Sequence, residues 1–203
     1  MHKIVILLLL FSSGLQRHSA QALEDLDDRI LIVYLSRTNN TKAVAEIIQK
    51  QVGGDLVALE LEDPYPEDYS AIVKQVAKEN ETGFLPPLKT RVDLEKYDII
   101  FLGFPTWGMR LPPPLKSFLN GNDLSGKTLI PFNTHGGYGV GSCFRTIKEL
   151  CPESEILKGF SIRGGSERDG IHLAIQGNRI KVVAKEVDKW LTELAVLHPK
   201  NKK

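Results

Sequence analysis

The chain has 203 residues, of which 42% are hydrophobic and 25% are charged, values typical of a soluble globular protein. Its 26 basic and 25 acidic residues give a formal net charge of +1, which argues against a nucleic-acid-binding protein that relies on bulk positive charge. Two cysteines are too few for a disulfide framework or a cysteine-rich zinc site, and we predict no metal site. The length suits one domain with a sizeable core.

The first 22 residues have the pattern of an export signal. Lys3 precedes an unbroken apolar run over residues 4–11, and a polar stretch then leads to Ala20-Gln21-Ala22, small residues of the kind that a signal peptidase recognises. The run is shorter than the roughly 20 residues that span a bilayer, so we expect no membrane span after signal removal. The alternative is a buried N-terminal strand. We expect an exported protein, periplasmic or secreted.

The rest of the chain alternates between apolar segments and segments with helical spacing. Strands are predicted at residues 29–35, 55–61, 98–104, 128–132 and 156–162. Helices are predicted at 43–52, 69–78, 115–119 and 140–150, and a last long helix within 171–197. This alternation predicts an α/β fold with a doubly wound parallel sheet, in one domain over residues 29–197.

Ligands of such sheets bind at the carboxyl ends of the strands, and the loop after the first predicted strand is unusually polar there. It offers hydroxyls, amides and the N–H groups of a helix N-terminus, which together favour a bound phosphate. The alternative is an ordinary helix cap with polar neighbours. The loop consists of Ser36, Arg37, Thr38, Asn39, Asn40 and Thr41.

Two further loops at this edge carry aromatic residues. After the third strand come Pro105, Thr106, Trp107, Gly108 and Met109. After the fourth come Thr134, His135, Gly136, Gly137, Tyr138, Gly139, Val140 and Gly141. The glycines let the backbone approach a ligand closely. Each aromatic residue alone is more often structural, but together with a phosphate loop they suit a flat, phosphorylated ring system. His135 is a candidate proton donor, although we expect it to brace its loop.

These segments, SRTNNT, IFLGFPTW and SGKTLIPFNTHGGYGVG, resemble those of bacterial flavodoxin-like proteins. The resemblance covers about residues 29–195. It implies a flavodoxin-like three-layer sandwich with a five-stranded parallel sheet in the order 2-1-3-4-5, and one FMN held non-covalently. It also implies that the first loop, including Ser36, Thr38, Asn39, Asn40 and Thr41, holds the FMN phosphate, and that 105–109 and 134–141 flank the ring.

Two residues depart from the pattern of that family. Asn39 stands where the family loop usually has glycine, and asparagine is the residue that best tolerates a left-handed backbone in its place. Gly108 stands where many relatives have a second tryptophan. Trp107 and Tyr138 are therefore the strong candidates for stacking on the ring.

The resemblance implies a flavodoxin-like electron-transfer protein with no catalytic side chain of its own. Its expected partners are a redox partner protein or a small-molecule electron acceptor. Two alternatives remain: an FMN-dependent NAD(P)H:quinone-type oxidoreductase, and a flavodoxin-like binding module that has lost flavin.

Two other features of the sequence carry no chemistry in this interpretation. The segment 121–128 matches the nucleotide-binding pattern G-x-x-x-x-G-K-[ST], but it follows a predicted helix and opens a strand, the reverse of what that loop requires. Cys143 and Cys151 are separated by about 12 Å of rise if both lie on one helix, which is too far for a disulfide. We expect two free, buried thiols.

Overall fold

A computed structural model describes residues 29–194 of the chain. The predicted export signal lies outside the described residues. In chain order the elements are β1 (Ile30–Tyr34), α1 (Asn40–Val52), β2 (Asp55–Ala58), α2 (Tyr69–Thr82), β3 (Ile99–Pro105), α3 (Pro113–Asn120), β4 (Thr128–His135), α4 (Cys143–Leu150), β5 (Glu155–Ile156), β6 (Phe160–Arg163) and α5 (Asn178–Glu193). None of the helices within this described range is long and apolar enough to cross a membrane.

The strands form one parallel sheet in the order β2-β1-β3-β4-β5, as predicted, with β6 also paired to β4. The predicted fifth strand is interrupted. β5 pairs with the first residues of β4, and β6 pairs with its last four. Between them the Lys158 carbonyl accepts a hydrogen bond from the Trp190 indole of α5, so the edge of the sheet is divided into two short strands.

Alternate side chains of the central strands face opposite sides of the sheet, as strand geometry requires. One side packs against α3 and α4 around Leu102, Leu115 and Ile147. The other packs against α1 and α5 around Ile32, Ile48 and Val187. Because both faces are covered, the central strands read as unbroken apolar runs in the sequence. The result is the predicted three-layer sandwich.

Several boundaries differ from the predicted ones. α2 continues to Thr82 rather than ending at residue 78. β4 extends to His135, so Thr134 and His135 end the strand instead of opening the loop. α4 begins at Cys143, which leaves residues 140–142 to the loop. The carboxyl end of β4 therefore reaches further into the candidate site than the apolar pattern alone indicates.

Candidate functional site at the carboxyl edge

The three predicted loops meet at the carboxyl ends of β1, β3 and β4. The Thr41 and Thr134 hydroxyls are buried and lie 2.8 Å apart. The Thr106 N–H donates to the Thr134 carbonyl at 2.8 Å. The Met109 carbonyl accepts from the Ser142 N–H at 3.0 Å. The residues that the sequence singled out are thus brought together at one edge of the sheet.

The phosphate loop, residues 36–41, has the backbone of an anion cradle. Asn39 takes the left-handed conformation (φ 61°) that the sequence predicted for it, and α1 begins at the next residue. Within the described part of the chain, none of the backbone N–H groups of residues 37–41 donates a hydrogen bond to the protein. Unpaired N–H groups at the start of a 13-residue helix favour a bound anion through their own dipoles and the helix dipole.

Arg37 lies in this loop, but its side chain reaches the neighbouring loops. Its Nε donates to the Glu167 carboxylate at 2.8 Å, and its Nη atoms donate to the Pro66 and Glu67 carbonyls. Both members of the ion pair are largely shielded from solvent, with 19% and 14% of their side chains exposed. Arg37 therefore joins three loops of the carboxyl edge, and its contacts within the protein are structural.

Asn40 is buried and its amide braces the phosphate loop. The Oδ1 atom accepts from the N–H groups of Ala174 and Ile175, and Nδ2 donates to the His172 carbonyl at 2.6 Å. Nδ2 also donates to the Thr38 hydroxyl oxygen at 2.9 Å. Because that oxygen accepts from the amide, the Thr38 hydroxyl keeps its own proton for a further acceptor.

The loop after β3 is a tight turn. The backbone groups of Trp107 and Arg110 exchange two hydrogen bonds, and the two central residues, Gly108 and Met109, have φ values of 56° and 61°. Two positive φ values define a type I′ turn. Gly108 meets this requirement at little cost, whereas Met109 has a side chain in a left-handed conformation.

Trp107 packs against a residue that the sequence analysis did not single out. The Tyr65 ring contacts the Trp107 ring edge-on, with ring centroids 5.5 Å apart. The Tyr65 hydroxyl donates to the buried carboxylate of Glu79 on α2, and Gln75 donates to the same carboxylate. Burial, followed by the hydrogen bond to Glu79, raises the pKa of Tyr65. The phenol therefore stays protonated and fixes one side of the indole.

His135 braces the glycine-rich loop after β4, as expected. Its Nδ1 atom accepts from the N–H groups of Gly137 and Gly139, at 3.1 and 3.2 Å. Partial burial, and then the nearby positive charge of Arg163, lowers the pKa of His135. The neutral imidazole is the form that can accept these hydrogen bonds. The same loop approaches the turn after β3 closely, because a Cβ on Gly141 would lie 2.2 Å from the Met109 carbonyl oxygen.

Tyr138 stands at the tip of this loop with 69% of its surface exposed. Arg168 donates to the Tyr138 hydroxyl at 3.0 Å, and its guanidinium carbon lies 5.5 Å from the ring centroid. Neither contact buries the ring, so Tyr138 is available to a ligand or a partner.

The sequence missed two contributing loops, the one after β2 that carries Tyr65 and the one after β6 that carries Glu167 and Arg168. Both leave carboxyl ends of strands in the same parallel sheet, and that position was the available signal. The cysteines are as expected: Cys143 and Cys151 are free and buried, and burial raises the pKa of Cys143 to about 11.

The sequence model of the flavodoxin family matches residues 29–176 of this chain. The chain therefore belongs to the flavodoxin family. No curated protein matches it by sequence comparison.

Solved structures of flavoproteins share this fold. A candidate flavoprotein from Bacteroides eggerthii has 27% identity and a TM-score of 0.67, covering 82% of this chain and 98% of that one. Another from Bacteroides uniformis has 23% identity and a TM-score of 0.65, covering 79% and 98%. A flavoprotein from Lactobacillus acidophilus, solved in complex with FMN, has 20% identity and a TM-score of 0.58, covering 71% and 98%.

Proposed function

We propose that this protein binds FMN non-covalently at the carboxyl edge of the sheet and carries electrons between partners. The observation that carries the proposal is the row of unpaired N–H groups over residues 37–41 at the start of α1. A phosphate monoester has acceptor oxygens and negative charge, and this cradle offers donors and a helix dipole. The Lactobacillus flavoprotein, which binds FMN, supports the choice of phosphate ester.

The side chains around the cradle fit the same ligand. The Thr38 hydroxyl is free to donate because its oxygen already accepts from Asn40. Of the Thr41 and Thr134 hydroxyls, which share one hydrogen bond, one keeps a proton to donate. Bound FMN would supply the redox chemistry. The Trp107 turn and the Tyr138 loop would bound the ring, with Trp107 fixed by Tyr65.

The exported location is part of the proposal. It is supported by the order of basic residue, apolar run and Ala20-Gln21-Ala22 in the sequence. The mass of protein recovered from the exported fraction tests it, because removal of the signal leaves a chain that begins at Leu23. Recovery of the full-length chain with Met1 from the cytosol alone would contradict it.

The binding experiment compares FMN with riboflavin, which lacks the phosphate. Titration of apoprotein, followed by quenching of flavin fluorescence, should give much weaker binding of riboflavin. Thr38→Ala should weaken FMN about tenfold or more, the effect of one lost hydrogen bond to a charged group, and leave riboflavin unchanged. Thr38→Ser should retain FMN affinity. Thr82→Ala is the matched control, since that hydroxyl only contacts carbonyls at the end of α2.

Equal affinities for FMN and riboflavin would contradict the site, and absence of flavin binding would favour a module that has lost flavin. Electron transfer is tested with FMN-loaded, chemically reduced protein mixed with an acceptor protein in a stopped-flow spectrometer. Sustained consumption of NAD(P)H with a quinone would instead favour the oxidoreductase alternative.

A further inference from the structure

Two arginines lie against the exposed Tyr138 loop, and a third contacts the backbone of one of them. Arg168 lies against the Tyr138 ring and hydroxyl. The guanidinium of Arg163 lies 3.7–4.0 Å from the position that a Cβ on Gly137 would occupy. Arg179, at the start of α5, donates to the Arg163 carbonyl. We call Tyr138 and these three arginines the arginine flank.

Most of the charge on this flank is uncompensated. Within residues 29–194, Arg163 and Arg179 form no ion pair, while Arg168 pairs with Asp169 at 3.2 Å. The effect of Arg163 reaches neighbouring groups: it contributes, after burial, to the lowered pKa of His135. It also contributes to the lowered pKa of Asp169, after the hydrogen bonds from Ser166 and Arg168.

The loop after β2, which Arg37 joins to the Glu167 loop, carries the other sign of charge. The loop after β2 carries Glu62, Asp63 and Glu67, all exposed, and of these Glu62 pairs with Arg91. The whole chain has a net charge of only +1, so it exerts little overall attraction. The local group of arginines is then the feature that would orient a charged partner during approach.

The shape and composition of the flank suit a protein better than a small anion. Small ligands prefer concave, mostly enclosed sites, whereas Tyr138 is 69% exposed at the tip of its loop. Ile171, which is 49% exposed, pairs with Ser166 at the base of the turn that carries Arg168. An exposed tyrosine among arginines is the composition that dominates binding energy at protein interfaces.

We propose that the arginine flank is a docking surface for an acidic redox partner protein, one that presents carboxylates around its own redox centre. This inference rests on the proposed electron-transfer function. The arginines attract and orient the carboxylates, and Tyr138 provides the central contact. Docking there brings the partner against the loop expected to border the flavin ring.

The first test measures binding of a short poly-glutamate peptide to apoprotein, so that its result does not depend on flavin. We expect salt-sensitive binding, with peptide-induced NMR shifts around Tyr138, Arg163 and Arg168. The Arg163→Gln/Arg168→Gln double variant should weaken binding about fivefold at low salt, and the difference should vanish near 0.5 M salt, where charges are screened within about 4 Å. Arg29→Gln, at the opposite end of β1, should bind like the wild type.

The second test measures electron transfer from reduced, FMN-loaded protein to an acidic ferredoxin and to a basic cytochrome c. The rate with the ferredoxin should fall as salt is added and fall several-fold in the double variant, when both proteins are compared at saturating FMN. Unchanged peptide binding in the double variant, an equal loss in Arg29→Gln, or faster transfer to the basic cytochrome would overturn the proposal. Tight competition by adenosine 2′,5′-bisphosphate would also overturn it, because that result indicates a small-anion site. Peptide binding without FMN binding by the wild-type apoprotein would contradict the proposed function alone, whereas FMN binding without peptide binding would contradict the docking surface alone.

Discussion

The phosphate loop and the two ring loops, 105–110 and 135–141, are built in opposite ways. In the phosphate loop the side chains of Arg37 and Asn40 bind neighbouring segments of the protein, and the backbone N–H groups stay unpaired. In the ring loops the backbone groups bind one another or His135, and the Met109 and Tyr138 side chains stay exposed.

The difference follows from what each loop would bind. A phosphate is bound by several converging donors, which a backbone supplies only if something else holds it in shape. A flat ring is bound by side-chain surfaces, whose placement depends on a fixed backbone. In the phosphate loop, therefore, side chains hold the loop in shape and the backbone is left to bind the ligand. In the ring loops the backbone holds the shape and side chains are left to bind the ligand.

The largest expected effect comes from removing support from the phosphate loop. Asn40→Ala leaves the Ala174 and Ile175 N–H groups without an acceptor in a largely buried place. Unsatisfied buried groups cost about 1–3 kcal/mol each, so we expect a loss of about 3 kcal/mol in the free energy of unfolding, measured with urea on apoprotein.

Two variants make this comparison specific. Asn120→Ala, which removes an exposed amide at the end of α3, should cost less than about 0.5 kcal/mol. Tyr138→Ala, which removes the largest exposed side chain of the ring loops, should leave the apoprotein equally stable. A large loss of stability in Tyr138→Ala would show that Tyr138 supports the fold and would end the contrast between the loops.

The fold was predictable because its signals are local. Apolar runs separated by helical spacing define the parallel strands, and the sheet order came from the resemblance that the loops carry. The division between β5 and β6 was not predictable, because it depends on Trp190 of α5 reaching Lys158, a contact between residues far apart in the chain. The extension of β4 likewise reflects long-range pairing, since residues 133–134 pair with β3 and residues 133–135 pair with β6.

In the candidate site, too, local features were predictable and long-range contacts were not. The left-handed backbone of Asn39 was predictable from one residue type at one loop position. The contacts of Arg37 with Glu167 and of Trp107 with Tyr65 were not, since 130 residues separate the first pair and neither pair forms a motif. The sequence predicts residues whose conformation is set by their own backbone. It does not predict contacts between residues that only the folded chain brings together.

A smaller effect is expected in the turn after β3. Met109 has φ 61°, a conformation that costs a residue with a side chain roughly 1–2 kcal/mol. Met109→Gly relieves this strain and loses part of the gain to the greater freedom of glycine in the unfolded chain. We expect a net gain of about 0.5–1 kcal/mol in the free energy of unfolding.

Gly108→Ala should have the opposite sign and a similar size, because an added Cβ meets no atom within 4 Å and only the backbone conformation is penalised. Gly83→Ala, at the left-handed end of α2 and also without contacts, calibrates that penalty outside the site. If Met109→Gly destabilised the protein, packing of the Met109 side chain would outweigh the strain.

The smallest effect is a pH dependence carried by His135. Its pKa in the folded protein is lowered, first by burial and then by Arg163, while an unfolded histidine titrates near about 6.5. Between these values the unfolded chain binds more protons, so stability rises with pH. The stabilisation is complete above about pH 6.5 and is lost as the pH falls through the lowered value. Protonation of Nδ1 would also remove the acceptor for Gly137 and Gly139.

His135→Asn keeps an acceptor oxygen near that position and does not titrate. The difference in unfolding free energy between wild type and His135→Asn should therefore shift against the wild type from pH 7.5 to pH 5, while carboxylates common to both proteins cancel. A difference independent of pH would mean that the imidazole braces the loop without favouring its neutral form.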